Sequence, residues 1–307
     1  MSRASAPGKI ILFGEHAVVY GRPALAVPVM QVHADVDVAD GSRPGVWIHA
    51  PDVDLHAELS SLPSDHPLGA AARLFFSRFG VSPPPLEIHI SSSIPVASGL
   101  GSGAAVTVAL LRALSSALQH PLSAEETNSL AYEIEKLHHG APSGIDNTVV
   151  TYAKPVYFVR GQPVETFKVG APFTLVIADT GVAAPTRESV GDVRRLWEAD
   201  RPRWEKVFDA VGEIVRTAKE KIENGEWRAL GALMDSNHSL LQRLAVSSPE
   251  LDRLVESARE AGALGAKLSG GGRGGNMIAL VEKADAPAAA EALKSAGAKR
   301  TIVTEVV

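Results

Sequence analysis

A short loop rich in glycine and serine carries the clearest chemical signal in this chain. Residues 95–105 read PVASGLGSGAA and lead directly into VTVALLRALSSAL, an apolar, alanine-rich run typical of a helix. The N–H groups of a helix's first turn have no partners within the helix, and the helix dipole adds partial positive charge there. Such a loop can hold a phosphate group. Taken alone, it is equally consistent with a loop that only turns the chain.

The loop differs from two common phosphate-binding motifs. It is not followed by the Gly-Lys-Ser/Thr of the Walker A motif, and it lacks the third glycine of the dinucleotide fingerprint. A nucleotide site built on this loop would therefore belong to another class of protein.

A second polar cluster lies near the N-terminus, in SAPGKIILFGEHAVVYG (5–21). Lys9 begins a strand-like apolar run, and Glu15 and His16 follow its end. Charged residues next to glycines at strand ends often line binding sites. An exposed Lys9–Glu15 ion pair on a hairpin explains the same pattern at least as well.

Two further clusters lie next to glycine-rich turns. EIEKLHHGAPSGIDN (133–147) contains Glu135 in a helical run that ends at Gly140, and Asp146 after the turn. SGGGRGG (269–275) has five glycines in seven residues. Ordering so many glycines costs backbone entropy, which a close approach to a ligand or to another backbone would justify.

Composition excludes several classes of protein. The 307 residues are 45% hydrophobic and 21% charged, with a net charge of −5, and form no basic stripe for nucleic acid. Without cysteine, disulfides, thiolate nucleophiles and cysteine-ligated zinc are excluded, and no G-x-S-x-G elbow provides a serine nucleophile. Apolar runs such as 103–111 are too short to cross a bilayer, and no signal peptide is recognisable, so we expect a cytoplasmic protein.

Hydrophobic periodicity predicts the elements that must position these clusters. Strands are expected at 9–14, 32–40, 46–50, 86–92 and 155–160, the alternating ones forming a half-exposed antiparallel sheet. Helices are expected near 67–79, 103–119 and 123–138, the last beginning with a Ser123–Glu126 capping box. In the second half of the chain, the pattern predicts a strand at 173–181 and helices over 186–262. A strand, another strand, a helix and a last strand are expected to follow.

Taken together, the clusters resemble the motifs of the GHMP kinase superfamily, over nearly the whole chain. APGKIILFGEHAVVYG, IPVASGLGSGAA and KLSGGGRGG appear in the superfamily's order. GEHAVVYG (14–21) and HGAPSGIDN (139–147) are most similar to the mevalonate kinase family. The resemblance implies an α+β, two-domain GHMP kinase fold. Residues 1–168 would form a ribosomal-protein-like α/β domain, and residues 169–307 a ferredoxin-like α+β sandwich.

The same resemblance implies a role for each cluster in ATP-dependent phosphorylation of the 5-hydroxyl of (R)-mevalonate, a step of isoprenoid synthesis. Asp146 would accept the hydroxyl proton and Lys9 would stabilise the developing alkoxide. Glu135 and Ser102 would bind Mg²⁺, and Glu15, His16 and Thr186 would contact mevalonate. The expected ATP-binding residues are Pro95, Val96, Ala97, Ser98, Gly99, Leu100, Gly101, Ser102, Gly103, Ala104 and Ala105.

Three residues depart from the family's pattern. Gly103 replaces the second serine of GLGSSAA and removes one hydroxyl that could contact magnesium. Arg273 and Asn276 replace residues of a motif that often reads GAGGGGC. For Arg273, contact with phosphate and exposure to solvent both remain open, with solvent slightly favoured. Since the base, the lysine and the metal carboxylate are present, we expect activity.

Other functions remain compatible with the sequence. The chain could be another superfamily kinase, such as phosphomevalonate kinase or homoserine kinase. It could also be a diphosphomevalonate decarboxylase or an inactive nucleotide-binding regulator. The expected partners are ATP and mevalonate, with no nucleic acid or membrane, and the assembly could include a homodimer.

Overall fold

The predicted site residues lie on long strands, on the helices next to them and in the turns and loops that follow these elements. The computed structural model describes residues 1–95, 98–139, 142–184 and 186–307. The strands are β1 (Ser2–Phe13), β2 (Ala24–Asp40), β3 (Val46–Ala50), β4 (Leu55–Glu58), β5 (Leu86–Ser92), β6 (Val156–Phe158), β7 (Glu165–Thr166), β8 (Phe173–Asp179), β9 (Gly265–Ser269), β10 (Asn276–Val281) and β11 (Arg300–Val306). The helices are α1 (Pro67–Phe79), α2 (Ser102–Ala117), α3 (Ala124–His139), α4 (Ile145–Tyr152), α5 (Thr186–Ala199), α6 (Arg201–Glu223), α7 (Leu230–Arg243), α8 (Pro249–Glu260) and α9 (Ala286–Ser295).

One compact unit comprises the described residues of Met1–Lys9, Val29–Val96 and Leu100–Ala153. Its strands follow the order β4-β3-β5-β2, and β1 also pairs with β2. Buried and half-buried residues alternate along β3 and β5, so one face of the sheet contributes Ile48, Ile88 and their neighbours to the core. Helices α1 to α4 pack against one another, and α2 contacts β5. The helical layer therefore places α2 next to α3 and α4.

The second unit comprises the described residues of Ile10–Pro28, Ala97–Gly99 and Lys154–Val307. Its antiparallel sheet has the order β11-β8-β10-β9, and β8 and β10 are almost completely buried. Helices α7 and α8 pack against β9, and α9 packs against β8 and β11. The first residues of β2 pair with β6, which pairs with β7. The predicted domain division at residues 168/169 stays a prediction.

Most predicted elements are confirmed. The helices near 67–79, 103–119 and 123–138 correspond to α1, α2 and α3. The capping box is present: the Glu126 N–H donates to Ser123 Oγ at 3.1 Å, and the Ser123 N–H donates to Glu126 Oε2 at 3.0 Å. Gly140, where the third helix was predicted to end, lies outside the described residues.

Two features of the first unit differ from the sequence prediction. The sheet is not entirely antiparallel, because β3 and β5 pair in parallel. The chain between these strands forms β4 and α1, which provides the crossover that a parallel pair requires. Helix α4 was not among the predicted helices, and its threonines and valines have low helix propensity. Packing against α2 and α3, with Val149 and Val150 buried, outweighs that propensity.

Within the part of the chain that the structure describes, no helix has both the length and the apolar character needed to cross a bilayer.

Candidate active site

A buried lysine and a partly exposed aspartate form an ion pair in the first unit. Lys9, on β1, is 3% exposed, and its Nζ lies 3.0 Å from Asp146 Oδ1. The Lys9 backbone N–H donates to the Leu100 carbonyl at 2.9 Å, which connects β1 to the loop before α2. Gly101 has φ +76°, and a Cβ at this position would lie 2.8 Å from Lys9 Cγ. Glycine is therefore needed there both for backbone conformation and for space.

Helix α4 fixes the position of Asp146 in its first turn. The next residue, Asn147, is buried, and its Nδ2 donates to Asn128 Oδ1 on α3 at 2.6 Å. Thr148 Oγ1 donates to the Gly144 carbonyl at 2.7 Å. Asn128 and Glu135 are seven residues apart and therefore lie on the same face of α3. One face of α3 thus both anchors α4 and carries the carboxyl group of Glu135.

The Glu135 carboxyl group is buried next to like charge. Its residue is 8% exposed, and burial, followed by the charge of Asp146, raises the pKa of Glu135 to about 7, against the opposing effect of Lys9. A Cβ on Gly103 would lie 3.7 Å from Glu135 Oε1, so this carboxylate lies next to the start of α2. The carboxyl group of Asp146 and the ammonium group of Lys9 both lie close enough to influence Glu135. A bound cation would relieve the cost of ionising Glu135.

The start of α2 presents backbone N–H groups that have no partner within the helix, as the sequence predicts. Gly101 precedes the helix in the left-handed conformation, and the first turn contains no acidic residue. The Ala105 N–H donates to the Gly101 carbonyl, and the N–H groups of the turn before it have no partner within the helix. Such a helix start favours an anion. Of the expected ATP-binding residues, Val96 and Ala97 lie outside the described residues.

The second unit contains a buried ion pair that includes Glu15. Glu15 is 1% exposed, and its Oε1 accepts a hydrogen bond from the Nζ of Lys267, which lies on β9 and is fully buried. Burial lowers the pKa of Lys267, and the Glu15 carboxylate opposes that effect. Among the described residues, no hydrogen-bond donor reaches Glu15 Oε2, which is also buried. An unpaired buried oxygen is costly, and a ligand donor would satisfy it.

His16 and Thr186 meet at the glycine-rich third motif. His16 Nε2 lies 3.1 Å from the Gly271 carbonyl. A carbonyl only accepts, so Nε2 carries the proton and Nδ1 is left as an acceptor. Burial lowers the pKa of His16 to about 4, and its ring is therefore neutral at neutral pH. A Cβ on Gly271 would lie only 2.7 Å from the Thr186 hydroxyl oxygen. Glycine is therefore needed at position 271 for Thr186 to pack this close to the third motif.

The two unusual residues of the third motif both have partners. Asn276 is buried, and its side-chain amide donates to the Ser98 carbonyl of the predicted phosphate loop. Arg273 forms an ion pair with Asp192 on α5 and donates to the Ala245 carbonyl at 3.1 and 3.2 Å. The Arg273 side chain is still 29% exposed, so it reaches solvent as well. The guanidinium group connects the third motif to α5 and to the chain after α7.

The structure brings the predicted residues together in two groups. Lys9, Ser102, Glu135 and Asp146 lie within the first unit, and Glu15, His16 and Thr186 lie within the second. Lys267 was missed by the sequence analysis. The sequence contains a clue to this residue, because a lysine interrupts the strand-like run GAKLS. The structure shows that this run is buried throughout, which is rare for a lysine without a partner.

Family models match both halves of the chain. The model described as GHMP kinases N terminal domain matches residues 66–154, and GHMP kinases C terminal matches residues 218–299. Both models belong to the superfamily that the motifs of the sequence resemble.

Individual relatives identify the family within this superfamily. The chain is 38% identical to the mevalonate kinase of Pyrococcus abyssi, over 90% of this chain and 88% of that protein. It is 36% identical to the mevalonate kinase of Thermococcus sibiricus, over 99% of this chain and 95% of that protein. Its structure resembles L. major mevalonate kinase in complex with R-mevalonate, with a TM-score of 0.87 and 30% identity over 100% of this chain and 96% of that one.

Proposed function

Because the chain belongs to the mevalonate kinase family of the GHMP kinases, we propose that it transfers the γ-phosphoryl group of ATP to the 5-hydroxyl of (R)-mevalonate. The products would be ADP and (R)-5-phosphomevalonate, an intermediate of isoprenoid synthesis. The observation that carries the proposal is the Lys9–Asp146 ion pair in the unit that also contains the start of α2 and Glu135. A base, a cation and an anion-binding helix terminus are the groups that phosphoryl transfer needs.

Asp146 and Lys9 would act on the substrate hydroxyl. As the 5-oxygen attacks the γ-phosphorus and the bond to the β-phosphate oxygen breaks, the hydroxyl proton passes to the Asp146 carboxylate. The Lys9 ammonium group, fixed by its contact with Asp146, stabilises the negative charge that develops on the 5-oxygen. The N–H groups at the start of α2 bind phosphate oxygens.

The first unit also offers donors that suit Mg²⁺. This ion prefers oxygen ligands and is usually held by one or two carboxylates together with substrate phosphates. Glu135 fits this description, since its carboxyl group is buried and lies next to the start of α2, where the phosphates would bind. Glu135 and the Ser102 hydroxyl would hold the ion. Bound with ATP, it would neutralise charge on the transferring phosphoryl group.

In the second unit, Glu15, His16 and Thr186 would contact mevalonate. The buried Oε2 of Glu15 has no protein donor among the described residues, so a substrate hydroxyl would complete its hydrogen bonding. Neutral His16 offers Nδ1 as an acceptor, and Thr186 places its hydroxyl next to the same glycine-rich turn. All three contacts are polar, so they would bind mevalonate through hydrogen bonds and not through an apolar pocket.

The first prediction concerns substrate choice. In an ADP-release assay, we expect mevalonate to give a higher kcat/KM than phosphomevalonate, homoserine or galactose. Phosphorus NMR of the product should show a phosphomonoester of mevalonate. A higher kcat/KM for phosphomevalonate or homoserine would contradict the proposal and indicate another GHMP kinase. Release of carbon dioxide with ATP turnover would indicate a decarboxylase, and no turnover at all would indicate a regulator.

The second prediction concerns the metal. Glu135→Gln removes the charge and keeps the shape, so we expect a large increase in the magnesium concentration that gives half-maximal rate. Gly103→Ser should lower this requirement or leave it unchanged. Gly103 lies in the first turn of α2, where serine is accommodated, and a Cβ there makes only an ordinary contact with Glu135. The measurement is a magnesium titration at saturating ATP and mevalonate.

A matched control for the metal prediction is Glu133→Gln. Glu133 lies on the same helix and forms an exposed ion pair with Lys136, so its substitution should not change the magnesium dependence. The same titration curve for Glu135→Gln and the unsubstituted protein would remove Glu135 from the proposed metal site and leave it a structural role.

The cellular location and the assembly of the protein are two further proposals. We propose a cytoplasmic location, where ATP is available, which fractionation of the native cells would test. We also propose a homodimer as the assembly to be tested, by light scattering of the purified protein coupled to size-exclusion chromatography.

A further inference from the structure

The outer face of the first unit's sheet carries a cluster of histidines that the proposed kinase reaction does not use. His49 lies on β3, His56 on β4, and Glu87 and His89 on β5. In the register of the sheet, His49 is directly opposite His56 on one side and opposite His89 on the other. The alternation of β3 and β5 places Ile48 and Ile88 in the core and these side chains on the opposite, solvent-facing side.

Three of these side chains bring their ligand atoms close together. Single ligand atoms of His49, Glu87 and His89 lie within 4.8 Å of one another, and His49 Nε2 is 2.5 Å from Glu87 Oε2. The rings of His49 and His89 are stacked, with 4.5 Å between their centroids. His56 extends the cluster, since its Nδ1 is 2.9 Å from His49 Nδ1. All four residues are on strands, which hold their backbones in fixed register.

The carboxylate of this cluster is oriented by a second set of contacts. Arg43 Nε donates to Glu87 Oε1 at 3.1 Å, while the other oxygen, Oε2, faces His49. The Arg43 guanidinium group in turn lies over the ring of Trp47, 3.4 Å from its centroid. Glu87 is thus positioned before any ligand arrives.

We propose that His49, Glu87 and His89 form a binding site for a divalent transition-metal ion, with Zn²⁺ as its representative. Two imidazoles and a carboxylate suit zinc, nickel and copper, whereas Mg²⁺ selects oxygen ligands alone. The ion replaces the direct His49–Glu87 hydrogen bond and connects β3 to β5. His56 supports His49 from the opposite side. This site is independent of the proposed mevalonate kinase activity.

The test is isothermal titration of the purified protein, free of any histidine tag, with Zn²⁺ alone. We expect one ion per chain. Loss of even an outer-shell partner typically weakens metal binding by about 10–100-fold, so His49→Gln, Glu87→Gln and His89→Gln should each weaken it by at least that factor. Zinc should also raise the Tm of the unsubstituted protein, and each variant should lose this increase. Circular dichroism would verify that the variants are folded.

Two controls separate this site from other zinc contacts. His33→Gln removes an exposed histidine whose Nε2 lies 3.2 Å from Asp35 Oδ2, and should leave zinc binding unchanged. Glu135→Gln alters the proposed magnesium site and should also leave it unchanged. Absence of zinc binding, or binding that persists in all three cluster variants, would overturn the proposal. An equal loss of zinc binding in His33→Gln or in Glu135→Gln would also overturn it.

Discussion

Asp146→Asn is expected to lower kcat by about 10²–10⁴-fold, the usual contribution of a general base. Asparagine has nearly the same shape and its Oδ1 can still accept the hydrogen bond from Lys9 Nζ, now 3.0 Å from Asp146 Oδ1. It cannot take the proton of the substrate hydroxyl. The expected signature is a large decrease in kcat with little change in ATP affinity, measured by steady-state kinetics and by nucleotide titration.

A matched control for this variant is Asp65→Asn, since Asp65 is exposed in the loop before α1. It should leave kcat unchanged. Thermal unfolding of both variants would show whether the folded state persists without the Asp146 charge. A folded Asp146→Asn protein with near-normal kcat would mean that Lys9 and the phosphate-binding groups act without a base.

Lys267→Met is expected to reduce the free energy of unfolding by about 3–5 kcal/mol, because it leaves the buried Glu15 carboxylate without its partner. Methionine is close in length to lysine and fills most of the same space. Where the protein remains folded, we expect a higher KM for mevalonate and an unchanged KM for ATP, because Lys267 holds Glu15, a proposed mevalonate contact. Denaturant unfolding and steady-state kinetics are the two measurements.

The chain offers a surface pair of the same chemistry as a control. Lys283 Nζ lies 3.0 Å from Glu305 Oε1, and the Lys283 side chain is mostly exposed. Exposed pairs contribute about 0–1 kcal/mol, so Lys283→Met should change stability far less. The double variant Lys267→Met with Glu15→Gln removes both buried charges and should recover much of the lost stability. Equal effects of Lys267→Met and Lys283→Met would show that the buried pair has no special role.

Local patterns in the sequence were sufficient to predict most elements and the polar clusters that lie next to glycine-rich turns. The helix starts, the capping box of Ser123 and Glu126, and the glycine loop before α2 depend on residues within a few positions of one another. The order of the three glycine-rich motifs likewise indicated the family that the comparisons then showed.

Features that depend on distant residues were decided by the fold alone. Helix α4 has weak intrinsic propensity and forms because it packs against α2 and α3. Parallel pairing of β3 with β5 places His49 opposite His89, 40 positions along the chain, which no local pattern specifies. The Lys267–Glu15 pair joins residues separated by 252 positions. A charge can be buried only where the fold provides its partner, so tertiary structure determines which charged residues form buried pairs.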